Sequence, residues 1–402
     1  MLDSEILDHM ALRQELIGRA RDMFPVLRER APEAERNRRV PDETQQAFVE
    51  AGFYRIFQPR RYGGYEMDFQ VMLDICSELG RGCGSSSWVY SNVTGQSWIN
   101  GMKDEQAQDD VWADNPDALI ASAFPGKGAS VKAVDGGWVA DGQWSFSSGI
   151  DFVDWVNLQL FVKQEAGPPQ HFFAIVPRSD YEIVDDWFAN GLAATGSRSL
   201  RVKDVFIPAY RGIGAGQVAG GPTPGSAVNS SPIYKLPLFA IGNKQFAATA
   251  LGIALGGLEA IEADLAARVS VGGAKLADQP TVQVRVAEAG AEIEAARLLN
   301  VSDFEESMAV AASDISPSQE QRARWRRNSA YAGKLCVQAL DRLAPLAGGR
   351  GLGFASPFQR ALRDIRAATS QNSMVWDTQA IFYGGQRLGA VLDDPRLFPD
   401  KK

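Results

Sequence analysis

Histidine is nearly absent from this chain of 402 residues: His9 and His171 are the only two. A His-rich metal centre is therefore excluded, and a Ser-His-Asp triad would have to be built on one of these two residues. His9 falls near a fraying terminus and His171 opens a strand, so both read as structural. Cysteine is as scarce. Cys76, Cys83 and Cys336 form neither a disulfide framework nor a thiolate zinc cage. The phosphate-cradling GxxxxGK[ST] and strand-borne GxGxxG patterns are missing, as is GxSxG. Positive charge is short: 41 Lys and Arg stand against 49 Asp and Glu, a net charge of −8, which disfavours nucleic acid and anionic membranes as partners. No run of ~18 uninterrupted apolar residues suggests a membrane span. The start, MLDSEILDHMALRQ, lacks the apolar core of a secretion signal. The expectation is a cytoplasmic protein without metal.

The composition present is that of a globular chain, 45% hydrophobic and 22% charged. Its length calls for two or three domains at ~100–200 residues each. Residues 1–115 read as a helical domain. In DFQVMLDICSEL, Phe69, Met72, Leu73, Ile75, Cys76 and Leu79 fall on one stripe. Gly80, Gly82 and Gly84 then interrupt it before SSSWVYSNVTGQSW.

From 116 the period changes to short β-prone runs, VKAV, WVADGQWSF, LQLFV, HFFAIV and RVKDVFI, with Asp135-Gly136 marking a hairpin. A central β-barrel or sandwich is expected over 116–232, ending in a mobile Gly/Pro/Ser loop at 212–232. Residues 233–402 return to helical pattern. A helix is expected over 281–310. A second runs from Ser316, the N-cap, through Pro317 to Leu343, and a last one from Ser356 to about Tyr383. Together they suggest a four-helix bundle and an α+β fold.

The order of these zones, with YRIFQPRRYGGYEMDF, DGQWSFSSG at 141–149, GSRSLRVKDVFIP at 196–208 and LAGGRGLGFASPFQRALRDIR, resembles the acyl-CoA dehydrogenase fold over nearly the whole chain. True acyl-CoA dehydrogenases usually carry a catalytic glutamate shortly after the Arg-Asp of the last long helix. Here Arg363-Asp364 is followed by IRAATSQNS, so the slot falls at Gln371 and Asn372. An amide cannot abstract a weakly acidic α-proton.

Phe146-Ser147-Ser148-Gly149 resembles instead the strand end of the two-component flavin monooxygenases of this fold, which oxygenate 4-hydroxyphenylacetate, secosteroid phenols or dibenzothiophene. That resemblance implies reduced FMN or FAD from a separate NAD(P)H-dependent reductase, O2, a C4a-hydroperoxide and a homo-oligomer, most simply a tetramer. It gives Ser148 or Ser147 the flavin N5 position and Ser122 a substrate-facing place. It also implies cofactor contacts for Phe124, Trp144, Ser197, Arg198, Arg268, Gly349 and Arg350. Trp88, Tyr90, Asn92 and Trp376 would rim a flat substrate. Arg363 and Asp364 would form a structural pair at the subunit contact.

Phenol hydroxylases of this group carry a histidine about where Gln371 lies, and neither histidine here takes its place by position. This favours a ring needing no deprotonation, such as an indole, with Gln371 or Asn372 bonding a ring N–H. Two rivals stand beside the oxygenase: an acyl-CoA dehydrogenase with a relocated glutamate, and a non-catalytic flavin-fold binding protein.

Overall fold

A computed structural model describes residues 4–390 other than Val271. Six helices come first: α1 (Ser4–Asp22), α2 (Phe24–Asn37), α3 (Asp42–Glu50), α4 (Phe69–Gly82), α5 (Gly84–Gly101) and α6 (Glu105–Trp112). The apolar stripe of α4 forms as expected, capped by Asp68, whose carboxylate accepts the N–H groups of Gln70 (2.9 Å) and Val71 (3.1 Å). The glycines at 80–84 do not end helical structure. They mark a single turn, and the stretch beyond is α5, in which every residue from Gly84 to Gly101 is buried. A helix enclosed on all sides shows no amphipathic stripe, so its sequence carries no periodic signal.

Eight strands follow: β1 (Ile120–Pro125), β2 (Ser130–Val134), β3 (Gly137–Ser147), β4 (Trp155–Val162), β5 (Gln170–Pro177), β6 (Glu182–Val184), β7 (Arg198–Pro208) and β8 (Gly212–Gly214). They run in the order β6-β7-β3-β1-β4-β5-β8, with β2 on β3. β1 is the hinge. It pairs in parallel with β4 and meets β3 only through Phe124 and Pro125. The two halves are brought together by contacts such as Trp138 of β3 on Phe172 of β5, ring centroids 4.8 Å apart. The result is a sandwich-like sheet with free edges, not a closed barrel.

The 212–232 segment is not a loose linker. β8 pairs with β5, and Asn229 donates to the Gly101 carbonyl (2.8 Å) and to Gln108 Oε1 (3.0 Å), tying the segment to the end of α5.

Helices then resume: α7 (Leu238–Ile241), α8 (Lys244–Ala267), α9 (Pro280–Ala312), α10 (Gln319–Ala347), α11 (Pro357–Thr369) and α12 (Trp376–Arg387). α8, α9, α10 and α11 form the bundle, and α8 also packs on α4 and α5. The stretch Leu238–Ala267 is apolar and long enough to cross a membrane, yet it is mostly buried against these neighbours. α10 starts two residues after the expected point. Ser318 and Gln321 cap each other's backbone N–H groups reciprocally (2.8 and 3.2 Å), which makes Ser318 the cap.

The last expected helix is two. Ser370 ends α11, and Gln371 turns extended while its Oε1 accepts the Ser373 N–H at 2.7 Å. Polar side chains that bond their own backbone compete with the helix here. Arg363 and Asp364 are not paired with each other. Arg363 bonds Glu35 (2.9 Å) and the Asn190 carbonyl (2.7 Å), and Asp364 accepts the Leu192 N–H (2.7 Å), all within the chain.

Candidate active site

Where β3 ends, the chain is bent by a register shift between Trp144 and Ser147 and by Phe146 at φ +61°. Strain of this kind re-aims the residues that follow. Ser147 is fully buried away from the cavities, and Ser148 faces inward. Gly149, at φ +76°, completes the turn where a Cβ would come within 2.9 Å of Phe152.

Ser148 stands in a directed chain of hydroxyls. Thr195 donates its proton to the Leu192 carbonyl (2.9 Å), so its oxygen accepts from Ser197 (2.6 Å). Ser197 therefore accepts from Ser148 (2.7 Å), and Ser148 accepts the indole N–H of Trp88 (3.1 Å). With its proton committed, Ser148 turns a lone pair, not a donor, to the space in front of it.

That space is a cavity of about 430 Å3 walled by Trp88, Phe124, Phe146, Trp187, Leu192 and Phe246, with Asn92, Gln371 and Asn372 at its far side. Trp88 stacks on Phe246 at 4.8 Å. A second cavity of about 410 Å3 adjoins it, sharing Asn92, Phe124, Phe246, Gln371 and Asn372. Its sheet wall is Ser122, Gln159, Phe161, His171 and Phe173, and its helical wall includes Gln96, Phe239 and Gln245. Among the described residues lining either cavity there is no carboxylate.

The cavity floor is held by Asp364, whose bond to the Leu192 N–H fixes that wall. Complete burial pushes its carboxyl up to about 7, with Glu35 adding to the rise and the Leu192 N–H, Arg363 and Arg360 opposing it.

Of the residues picked out from sequence, Ser122, Ser148, Trp88, Asn92, Phe124, Ser197, Gln371 and Asn372 line these cavities. Others do not. Ser147 is buried behind the turn, and Trp144 is buried with its N–H on the Gln159 carbonyl (2.9 Å). Tyr90, on the opposite face of α5, sits among Phe48, Phe53 and Tyr54. Trp376 packs on Tyr331 (5.1 Å) outside the cavities. Arg198 bridges Asp151 and Asp185, bracing the turn behind Ser197. Arg268 pairs with Asp264 (2.9 Å) and caps the Ala347 carbonyl (3.1 Å) at the end of α10. Gly349 and Arg350 are exposed in the turn that follows.

His171 is the main correction. It lies directly across from Phe161 in the ladder, stacks on that ring at 4.5 Å, and belongs to the wall of the second cavity. Phe146, Trp187, Thr195, Phe246, Gln96 and Gln245 are lining residues that sequence reading missed. Thr195, two residues before Ser197 in a hydroxyl-bearing turn, carried the clearest signal.

An aromatic-walled slot with a lone-pair acceptor on one edge fits a reduced isoalloxazine, whose N5 bears a hydrogen. Fold and slot together define a flavoprotein of the acyl-CoA dehydrogenase fold. Residues 9–109 match the acyl-CoA dehydrogenase N-terminal domain and residues 245–376 its C-terminal domain. The chain is 34% identical to the oxygenase subunit HsaA of a flavin-dependent monooxygenase from Rhodococcus jostii, over 92% of this chain and 98% of that protein. It is 33% identical to the oxygenase component of an FADH2-dependent resorcinol hydroxylase from Rhizobium, covering 93% and 94%. The structure of XiaF from Streptomyces, in complex with FADH2 and glycerol, superposes with a TM-score of 0.88 at 25% identity, covering 98% of this chain and all of that one. The chain belongs to the oxygenase components of the two-component flavin-dependent monooxygenases.

Proposed function

We propose that the cavity before Ser148 receives reduced FMN or FAD and that the adjoining cavity holds a small aromatic or heteroaromatic substrate, to which one atom of O2 is transferred. The observation carrying this reading is the make-up of the linings: hydroxyls, amides, aromatic rings, the His171 imidazole and the Arg326 guanidinium, with no carboxylate among the described residues. An α-proton of an acyl thioester would find no carboxylate there, the base that dehydrogenases of this fold use, which counts against the dehydrogenase alternative.

Reduced flavin, when bound, would supply the two electrons that activate O2. The chain's own residues do the rest. Ser148 accepts from N5–H, with Trp88, Ser197 and Thr195 holding its proton away. Trp88, Phe124, Trp187 and Phe246 keep water from the slot. Ser122, Asn92, Gln371 and Asn372 face the substrate. Arg268, Gly349 and Arg350 do not line the slot, so a cofactor role for them depends on a homo-oligomer. The exposed Leu352 and Phe354 beside them favour a tetramer.

A cytoplasmic setting with a separate NAD(P)H-dependent flavin reductase completes the system. The preference for indole rested on a missing imidazole. No imidazole stands at Gln371, but His171 lies on the sheet wall of the same cavity, which weakens that preference.

The test mixes the protein anaerobically with reduced FMN or FAD and follows binding, then adds oxygen and an aromatic panel. Hydroxylated product supports the reading. Oxidised flavin and peroxide alone, whatever ring is supplied, contradict it, as does reduction of bound oxidised FAD by an acyl-CoA.

A further inference from the structure

A small cavity lies where α2, α4, α8 and α11 meet the start of α5. It measures about 20 Å3, room for one water or one monatomic ion. Arg28, Arg81, Arg360 and Asp364 line it, with glycines of α4, α5 and α8 between them. Two of these arginines carry donors that the chain leaves unused. Arg360 is only 6% exposed, and its Nη2, sealed from solvent, has no hydrogen-bond partner among the described residues. The Nε of Arg28 is in the same condition. Buried donors on a charged group are costly to leave unmet.

The charge around the cavity is also out of balance. Arg81 pairs with Glu259 (2.8 Å) and with Glu78. Arg360 and Arg363 share Glu35 (3.1 and 2.9 Å). Arg28 donates from Nη2 to the Gly256 carbonyl (3.1 Å) and has no carboxylate within ion-pairing distance among the described residues. Burial pushes its guanidinium down; Glu259 opposes this, while Arg81 and Arg360 add to it. α5 begins at Gly84 and turns the positive end of its dipole to the same place.

We propose that this cavity binds a single monatomic anion, a halide such as chloride, held by Arg28 and Arg360 beside Arg81 and the N-terminus of α5. Phosphate, sulfate and organic carboxylates are too large for it. A water would satisfy the orphaned donors but not the unpaired charge.

Asp364 competes with the ion. One carboxylate oxygen accepts the Leu192 N–H (2.7 Å), and the other stands 3.0 Å from where a Cβ on Gly84 would lie, at the cavity edge. Glu35, Arg360, Arg363 and Cys83 face this carboxyl, with Arg28 and Arg81 across the cavity. With its carboxyl held up to about 7 by burial, Asp364 is neutral in acid and leaves the ion as the balancing charge. Once ionised, it supplies that charge itself and repels the ion. Halide affinity therefore falls as pH rises through about 7.

The experiment follows thermal unfolding of the full-length protein, without flavin, as sodium chloride or bromide replaces sodium gluconate at constant ionic strength. At pH 6 the midpoint should climb with halide concentration as for a ligand of the folded state, with gluconate as the blank. Arg360→Lys keeps a cation for Glu35 and removes Nη2, and Arg28→Gln removes the unpaired charge. Each should weaken the apparent halide affinity about tenfold or more, the equivalent of one charge-assisted hydrogen bond. At pH 8.5 the parent should also bind about tenfold more weakly, and Asp364→Asn should bind alike at both pH values. Parent crystals soaked in bromide should show an anomalous peak beside Arg360 Nη2.

The proposal is overturned by any of three results: a water in place of bromide at that position, midpoints that do not distinguish halide from gluconate, or one halide response shared by the parent and both arginine variants. None of these readouts involves flavin, so the oxygenase reading stands or falls separately.

Discussion

At the scale of single residues, the proposed chemistry rests most heavily on Ser148. Its proton is committed to Ser197, so Ser148→Ala removes an acceptor from the cavity and breaks the hydroxyl chain at its centre. Product formed per O2 consumed is expected to fall several-fold, with peroxide rising to match, while reduced-flavin affinity drops by about 0.5–1.5 kcal/mol. Coupling measured by product and peroxide assays reads this directly, and unchanged coupling would remove Ser148 from the site.

Asp364 gives a pH signature. Its carboxyl is pushed up in the folded state, above its value in the unfolded chain, so the folded protein binds the proton more tightly. Stability from this group is full below the unfolded value, declines as pH rises toward about 7, and is level above. Asp364→Asn lacks that decline. The unfolding free energy of the variant relative to the parent, read from urea titrations, should therefore rise between pH 5 and pH 8, by no more than about 1.4 kcal/mol per pH unit. A difference that is flat with pH would show that Asp364 ionises normally. Ser148 was legible because Phe-Ser-Ser-Gly marks a strand end. His171 and Gln96 were not, because only the strand register, the packing of α5 on β1 and the hydrogen bond from Asn157 of β4 to Gln96 bring them to the cavity.

At the scale of elements, two close approaches set the frame. α4 and α8 cross where a Cβ on Gly252 would lie 2.7 Å from the carbonyl oxygens of Cys76 and Ser77. Gly252→Ala should force the helices apart and cost about 1–3 kcal/mol in urea unfolding. Gly290→Ala, in α9 with nothing within 4 Å of the new methyl, should add about 0.5–1 kcal/mol instead. Equal effects at the two positions would mean that the crossing is not tight. Asp68→Ala removes the α4 cap and should cost about 1 kcal/mol.

Elements with one solvent face were readable: α4 from its stripe, and β3 and β7 from alternation around turn signals. α5 was not, since full enclosure erases periodicity. Nor was the break between α11 and α12, since SQNS looks like a helix surface until Gln371 bonds its own backbone. That break is also what delivers Gln371 and Asn372 to the cavity lining, so the least legible junction belongs to the candidate site.

At the scale of the whole molecule, helices, sheet and bundle converge on one pair of joined cavities, and the order of the three zones was plain from the change of hydrophobic period alone. The branch of the family could be read from Phe146-Ser147-Ser148-Gly149, the carboxylate missing from the expected slot only disfavouring dehydrogenation, and the linings carry no carboxylate on any other described residue. The decisive measurement is turnover under 18O2, with reduced flavin supplied by a separate reductase and a phenolic ring as acceptor. A ring product carrying one 18O atom, and none from labelled water, is the expected result. Unlabelled product, or reduced flavin spent wholly on peroxide while an acyl-CoA is oxidised to its enoyl form, would contradict it.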